Sequence, residues 1–428
     1  MKIKLKIWQC LFLLWLIILI VRFEQLINIY KLIFSWFILI IDDSKAALAQ
    51  VNFDLADIFI SGLLFILFPL IFFFFKKKLL FLFSRVSFAS IVLILLVISF
   101  LFAPLITNRN PEFYKNIGMT KLLPPLSAVN VLHFEKENMQ PITSLGKFIS
   151  LRDEVAKKSF NDNIEYVDST LANGKIIYYQ KGIQKEIDNK NVIFENGKPL
   201  ITSYTFYLGS DQFGRDVLTR LVYGARISLM VGLGSVFISL LIGLILGFLA
   251  GYTGGIFNTI FSRITDMFLS FPIIFLVVLI LALFGNSLIS VISILGFAGW
   301  MSLFKIVKTE VLSIKDKNYF ISAKLLGLSK KQLLTREVLP VIIVPIVVNL
   351  IFQFGNVIIA ESALSYLGLG LGENYPSWGS MIQSGQEYLS SAWWMIFFPG
   401  MILILTLLSA NSFGLSLNRK LNPRLQND

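Results

Sequence analysis

Few residues of this chain could make or break bonds. It has one histidine, His133, and one cysteine, Cys10. A hydrolytic nucleophile needs a base within hydrogen-bond reach, and a metal site needs several His, Cys or carboxylate ligands at short spacing. Neither pattern occurs, and a single cysteine excludes an internal disulfide framework. A Gly-x-x-x-x-Gly-Lys-Ser/Thr phosphate loop is also absent, so the chain is expected to bind no ATP, Mg or other cofactor itself. What remains is polar chemistry suited to binding and packing. Asn349, Gln353 and Asn356 stand at i, i+4 and i+7, on one face of an apolar helix. Polar side chains in hydrocarbon must pair or face water, so this stripe either lines a path or holds helices together. Asp211, Arg215 and Asp216 either cap the start of a helix or touch an external partner.

The most unusual grouping is the polar island from Lys305 to Pro340, set between two apolar runs. It holds eight Lys/Arg and three acids. It reads as two short amphipathic helices, Asn318–Gly327 and Leu328–Pro340. Ser329 with Gln332 three residues on has the form of a capping box. Gly327 allows the chain to turn without a Cβ penalty. Tyr319, Phe320, Ala323 and Leu326 fall at i, i+1, i+4 and i+7, on one face. That face suits a groove in a partner protein, or equally the headgroup layer of a lipid surface.

The elements that carry these residues are membrane spans. The chain of 428 residues is 56% hydrophobic and 15% charged, against about 25% charged for an ordinary soluble domain. Apolar runs of the length needed for about 30 Å of hydrocarbon are Ile58–Phe75, Val86–Leu105, Ile227–Leu249, Met267–Phe284, Leu288–Phe304, Val338–Ile359 and Trp393–Ser409. Two shorter runs, Trp8–Val21 and Ile29–Ile41, precede them. The first has the basic start of a signal or anchor, but no small-residue cleavage site follows Val21, so retention is expected. The net charge of +12 does not indicate nucleic acid. No basic face is interleaved with stacking aromatics, and cytoplasmic basic loops account for the charge.

Those basic loops orient the spans. Lys76, Lys77, Lys78 and Arg85 precede the Val86 run, and Arg419, Lys420 and Arg424 close the chain, whereas Ala360–Ala392 contains no Lys or Arg. The positive-inside rule puts residues 76–78, 305–340 and the C-terminus in the cytoplasm, and 107–206 and 360–392 outside. For the N-terminus two arrangements stand. Two early spans put Met1 outside; one span plus an interfacial helix keeps it inside with Lys2, Lys4 and Lys6. Within 107–206, Asn173-Gly174 and Asn196-Gly197 lie between Ile, Val and Tyr runs and predict short β-hairpins. This insertion is either a decorating domain or a docking surface for an external partner. Gly243, Gly247 and Gly251 recur every four residues, a pattern for close helix approach.

Several stretches resemble a known family, the ABC-importer permeases of the dipeptide/oligopeptide/nickel type. In the island, Ser322-Ala323, Gly327 and Leu339-Pro340 match the family's cytoplasmic coupling loop. Ile321 stands where that loop has Glu, and the position of the loop's usual His falls near Glu337, with no His there. The stretch from Gly209 through Ser-Asp-Gln-Phe-Gly-Arg-Asp to Leu229 closely resembles the segment before the family's second core span. Glu361-Ser-Ala-Leu-Ser-Tyr-Leu-Gly-Leu-Gly370, Pro376-Ser-Trp-Gly379, Trp393-Trp394 and Asn422-Pro423-Arg424 resemble its last external segment and C-terminus. The likeness covers about Arg85–Ile106 and Tyr207–Leu425.

The resemblance implies an all-α membrane protein with a six-span core of type I importer permeases. Its expected parts are an N-terminal extension at 1–78 with two or three hydrophobic segments, a first core span at 79–106, an external insertion at 107–206 and a permease core at 207–428 with the coupling loop at 305–340. It implies the second permease subunit of a binding-protein-dependent importer in the bacterial inner membrane, paired with a sister permease. Two ATPase subunits that carry ATP and Mg would grip Tyr319, Phe320, Ser322, Ala323, Leu326, Gly327, Leu328, Ser329 and Pro340. An extracytoplasmic binding protein would deliver a peptide or similar small ligand. The rival is a secondary transporter or channel without ATPases. Such proteins place charges at mid-membrane for ion coupling, and the core spans carry essentially none.

Overall fold

The computed structural model describes residues 7–50, 53–82, 87–107, 109–134, 143–156, 164–173, 175–187, 192–195, 197–329, 332–372 and 375–421. The chain divides into two compact units, one of residues 1–86, 95–226 and 384–399, the other of 87–94, 227–383 and 400–428.

The first unit joins the N-terminal extension to the insertion. Helices α1 (Ile7–Val21), α2 (Phe23–Asp42), α3 (Ser44–Ala49) and α4 (Phe53–Leu82) make up the extension. Asp43 caps α3, its carboxylate accepting from the Ala46 N–H at 3.0 Å. After α5 (Phe88–Ile106) comes the insertion: α6 (Ile117–Thr120), β1 (Ser127–His133), α7 (Ser144–Ala156), β2 (Ile164–Val167), β3 (Ser169–Asn173), β4 (Lys175–Gln180), β5 (Ile183–Ile187), β6 (Phe194–Glu195), β7 (Lys198–Pro199) and β8 (Ile201–Phe206). Strand orders are β2-β1-β8, β3-β4-β5 and β6-β7, with antiparallel pairing throughout. Both expected hairpins are present, with Asn173 opposite Lys175 and Glu195 opposite Lys198. Their turn residues Gly174 and Asn196 lie outside the described residues. Leu132, Phe134, Val167, Tyr178 and Val192 make one core of the insertion. His133 is structural here: its Nε2 pairs with Thr202 Oγ1 on β8 at 2.8 Å.

The second unit carries most of the spans. Its helices are α8 (Val217–Thr253, which starts in the first unit), α9 (Gly255–Ser270), α10 (Ile273–Phe284), α11 (Leu288–Lys315), α12 (Asn318–Leu325), α13 (Leu339–Tyr366), α14 (Trp378–Gly385, which ends in the first unit) and α15 (Trp394–Leu421, which starts in the first unit). Among the described residues, α2, α5, α8, α11, the stretch Leu333–Tyr366 and α15 are six helices long and apolar enough to cross a membrane. The chain is a multi-pass membrane protein of the all-α class with a small β insertion.

Two expectations need correction. The run Met267–Phe284 is not one straight span. It breaks between α9 and α10 with a bend of 91°. Pro272 disfavours the helical region for the residue before it, and Phe271 is extended at φ −93°, ψ 140°. Nor is Leu328–Pro340 a separate short helix. Residues Leu333–Val338 form a π-helical turn that runs directly into α13, with the Leu339 N–H donating to the Leu334 carbonyl. Pro340 lacks an N–H and its ring would meet the carbonyl four residues earlier. The wider turn relieves that clash.

Candidate functional site

The island begins later than its charges suggest. Lys305, Lys308 and Lys315 all lie within α11, which continues to Lys315. Lys305 Nζ pairs with Asp266 at 2.9 Å on the surface. Lys308 Nζ donates to Ser262 Oγ at 2.9 Å, and Lys315 Nζ donates to the Tyr252 carbonyl at 2.9 Å, at the end of α8. A lysine there satisfies carbonyls that a helix end leaves unpaired. These cations pair with groups on the neighbouring helices α8 and α9 within the second unit.

The free part of the island is α12 and the turn after it. Phe320 is 3% exposed and Ala323 is buried, and both belong to a core with Leu303, Val307, Val311, Ile314, Leu333 and Val338. Leu328 packs against that core as well. The expected face of Tyr319, Phe320, Ala323 and Leu326 is therefore split. Phe320 and Ala323 fix α12 to α11 and α13, and they are not available to a partner. Left outward are Tyr319, Ile321, Ser322, Leu325 and Leu326, with Leu325 at 83% and Leu326 at 81% exposure. Leu325 was not legible as a site residue. Helical spacing assigns it to the polar side, and only the end of α12 leaves it beside Leu326. Burial, with the Glu337 carboxylate adding to it, pushes the Tyr319 phenol above its ordinary value.

Two local devices hold this apolar tip. Gly327 has φ +80°. Around it the Leu328 N–H donates to the Ala323 carbonyl at 3.3 Å and the Gly327 N–H to the Lys324 carbonyl at 3.1 Å, the pair of bonds that ends a helix on a left-handed glycine. The capping box is also present. The Ser329 N–H donates to Gln332 Oε1 at 2.9 Å, and the Gln332 N–H donates to Ser329 Oγ at 3.3 Å. Ser329 and Pro340 are exposed on either side of the π turn.

The polar stripe on α13 does not share one environment. Asn356 is exposed. Asn349 Nδ2 donates to Ser302 Oγ of α11 at 3.4 Å. Gln353 is 8% exposed and turned onto α11, where its amide occupies the space a side chain at Gly299 would need. Neither polar atom of Gln353, nor the Trp300 Nε1, finds a hydrogen-bond partner among the described residues. Gln353→Leu keeps the volume and removes two unpaired polar atoms, so the variant is expected to be at least as heat-stable in detergent as the parent. A thermal midpoint several degrees lower would show that the amide is paired in the assembled transporter.

The acidic and basic residues before α8 are structural, within the first unit. Asp216 caps α8, its Oδ2 accepting from the Thr219 N–H at 2.9 Å and from Thr219 Oγ1 at 2.6 Å. Asp211 accepts from the N–H groups of Phe213 and Arg215, each at 2.9 Å, and from Arg215 Nε at 2.7 Å. Glu112 lies 3.6 Å from both Arg215 and Arg220. Farther along α8, Arg226 is paired with Asp57 of α4 and donates to Ser61 Oγ at 3.0 Å. That ion pair ties the extension to the start of α8, and no sequence signal pointed to it.

Comparison with known proteins places this architecture. The family described as Binding-protein-dependent transport system inner membrane component matches residues 243–427. The Di/tripeptide transport system permease protein DppC of Pseudomonas aeruginosa (strain UCBPP-PA14) is 35% identical over 222 residues, covering 52% of this chain and 73% of the relative. The Oligopeptide transport system permease protein OppC of Haemophilus influenzae (strain ATCC 51907 / DSM 11121 / KW20 / Rd) is 34% identical, covering 53% of this chain and 72% of the relative. The Dipeptide transport system permease protein DppC of Bacillus subtilis (strain 168) is 38% identical, covering 51% of this chain and 69% of the relative. Members of the family are membrane components of a transporter rather than its catalytic subunits, and membership implies ATPase and substrate-binding partners. On these alignments, the chain belongs to the binding-protein-dependent transport system inner membrane component family and is a permease subunit of an ABC importer.

Proposed function

We propose that this chain forms half of the membrane path of a peptide importer in the bacterial inner membrane, pairing with a sister permease. Two ATPase subunits, which carry the ATP and Mg, grip the tip of α12 from the cytoplasm, and an extracytoplasmic binding protein delivers the peptide. The observation that carries this is the tip itself. Leu325, Leu326, Ile321 and Tyr319 stand out from the protein on a short helix packed against α11 and the π turn that leads into α13. A push on that tip is transmitted to two spans through Phe320 and Ala323. Peptide as the substrate follows from the names of the relatives. Basic residues at 305–340 and their absence from 360–392 support an orientation with 305–340 in the cytoplasm and 107–206 outside.

Reconstitution tests it. In proteoliposomes, ATP-driven uptake of a labelled di- or tripeptide is expected only when this chain, a sister permease, the ATPases and the binding protein are all present. The purified chain alone is expected neither to bind nor to hydrolyse ATP. Nucleotide turnover that survives removal of the ATPases, or uptake driven by an ion gradient without them, would overturn the proposal.

A further inference from the structure

α2 is 20 residues long and apolar enough to cross a bilayer, but its surroundings place it elsewhere. Arg22, just before it, donates from Nη2 to the Ile106 carbonyl at 2.6 Å, at the last residue of α5. In the orientation proposed above, that is where α5 reaches the outer surface. From there α2 packs along α7, a helix of the insertion whose sequence holds Lys147, Arg152, Asp153 and Glu154. Near the start of α2, Gln25 Nε2 lies 3.5 Å from the Val155 carbonyl. At the end of α3, Arg152 donates to Gln50 Oε1. The start of α2 and the end of α3, which folds back along α2 with Trp36 Nε1 donating to the Ala47 carbonyl, thus reach the same hydrophilic helix. If α2 crossed the bilayer, α7 would be drawn into hydrocarbon with it, where charged residues are strongly disfavoured.

The surface of α2 fits a helix lying flat. Leu26, Ile29, Leu32 and Leu39 are buried on the protein side, and Tyr30 donates from its hydroxyl to the Gly62 carbonyl of α4 at 3.2 Å. Phe23, Ile27, Phe34, Phe37 and Ile41 are exposed and share one face at helical spacing. Next to them runs an exposed stripe of Glu24, Lys31 and Asp42. Lys31 falls near the middle of the helix, so a spanning α2 would hold its ammonium at mid-bilayer. In a flat helix the whole stripe lies at headgroup level.

We propose that α2 lies along the outer surface of the membrane, its apolar face seated in lipid and its charged stripe in water, and anchors the insertion there. In this arrangement α1 leads from the cytoplasm to the outer surface and α4 returns. The occupant of the apolar face is outer-leaflet lipid. This rests on the external placement of residues 107–206.

Single cysteines in a Cys10→Ser background, treated with an impermeant thiol reagent on intact cells, test it. Lys185→Cys in the insertion reports the orientation, while Glu24→Cys and Asp43→Cys report the two ends of α2. All three are expected to label from outside. Labelling of Lys185→Cys together with only one of the other two would overturn the flat helix and leave the importer reading intact. No labelling of Lys185→Cys would overturn the orientation and this proposal together. A fluorophore on Phe34→Cys, in phosphatidylcholine vesicles with brominated acyl chains, supplies the second measurement. Shallow bromines are expected to quench it more strongly than deep ones. Stronger quenching by deep bromines, or protection from lipid altogether in the assembled transporter, would overturn lipid as the occupant.

Discussion

Gly327→Val is expected to remain in the membrane near the parental level while losing ATP-driven uptake. The glycine has φ +80°, a region that costs a residue with a Cβ about 1–2 kcal/mol and is a genuine outlier for a β-branched one. No atom lies within 4 Å of the position a Cβ would take, so the penalty is backbone strain alone. Gly327 itself is exposed, and the strain is relieved by a local shift of the turn. That movement shifts Leu325 and Leu326 and pulls on the Ser329–Gln332 box, while the core behind Phe320 stays packed. Stability is therefore nearly unchanged, and the effect falls on the contact with the ATPases. Gly327→Asn supplies the control, because Asn tolerates the left-handed region, and it should keep most of the uptake. Peptide uptake, copurified ATPase activity and crosslinking from Lys324→Cys to the ATPase are the measurements. Normal uptake by Gly327→Val, with no crosslink at any level, would make α12 a lipid-surface helix and remove the main support for the proposed coupling.

Gly247→Leu should act on folding instead, with a large loss of folded protein. A Cβ at Gly247 would stand 2.8 Å from the Val307 Cβ and 2.9 Å from the Phe304 carbonyl oxygen of α11. Neither neighbour can swing away: one is a carbonyl, the other the branch point of a stiff side chain. Gly243 and Gly251 meet Leu303 and Val311 in the same way, at 2.9 and 2.8 Å. The three glycines thus let α8 lie against α11 along a continuous seam. Overpacking a seam of this kind typically costs about 1–3 kcal/mol, and a Leu adds three carbons beyond the first clash. The expected result is a sharp fall in membrane-embedded protein and in its thermal midpoint in detergent. Gly400→Leu on α15 is the control, since nothing lies within 4 Å of its Cβ position. If Gly247→Leu proves as stable as Gly400→Leu, α8 and α11 are not in close contact in the native transporter.

Both experiments use features the sequence already displayed. Short-range chemistry was legible because it depends on neighbours in the chain. The Ser329–Gln332 box, the positive φ at Gly327, the hairpins around residues 173–175 and 195–198, and the four-residue glycine spacing are all local. The membrane class and most spans were equally plain, since hydrocarbon selects for composition. So was the family, through long matching runs such as Gly209–Leu229.

What only the tertiary structure decided is which neighbour covers each face. Periodicity puts Tyr319, Phe320, Ala323 and Leu326 on one side of a helix, but it does not say that α11 and α13 take Phe320 and Ala323 and leave Leu325 and Leu326 free. It puts Asn349, Gln353 and Asn356 in one stripe, but Gln353 turns inward because Gly299 on α11 leaves room for it, while Asn356 stays exposed. An apolar run of given length also looks the same whether it crosses the bilayer, breaks at a proline as at Phe271–Pro272, or lies beside a hydrophilic helix as α2 lies beside α7. Hydropathy sums over a segment, whereas burial and depth are set by contacts between residues far apart in the chain, such as Arg22 with Ile106 and Arg226 with Asp57.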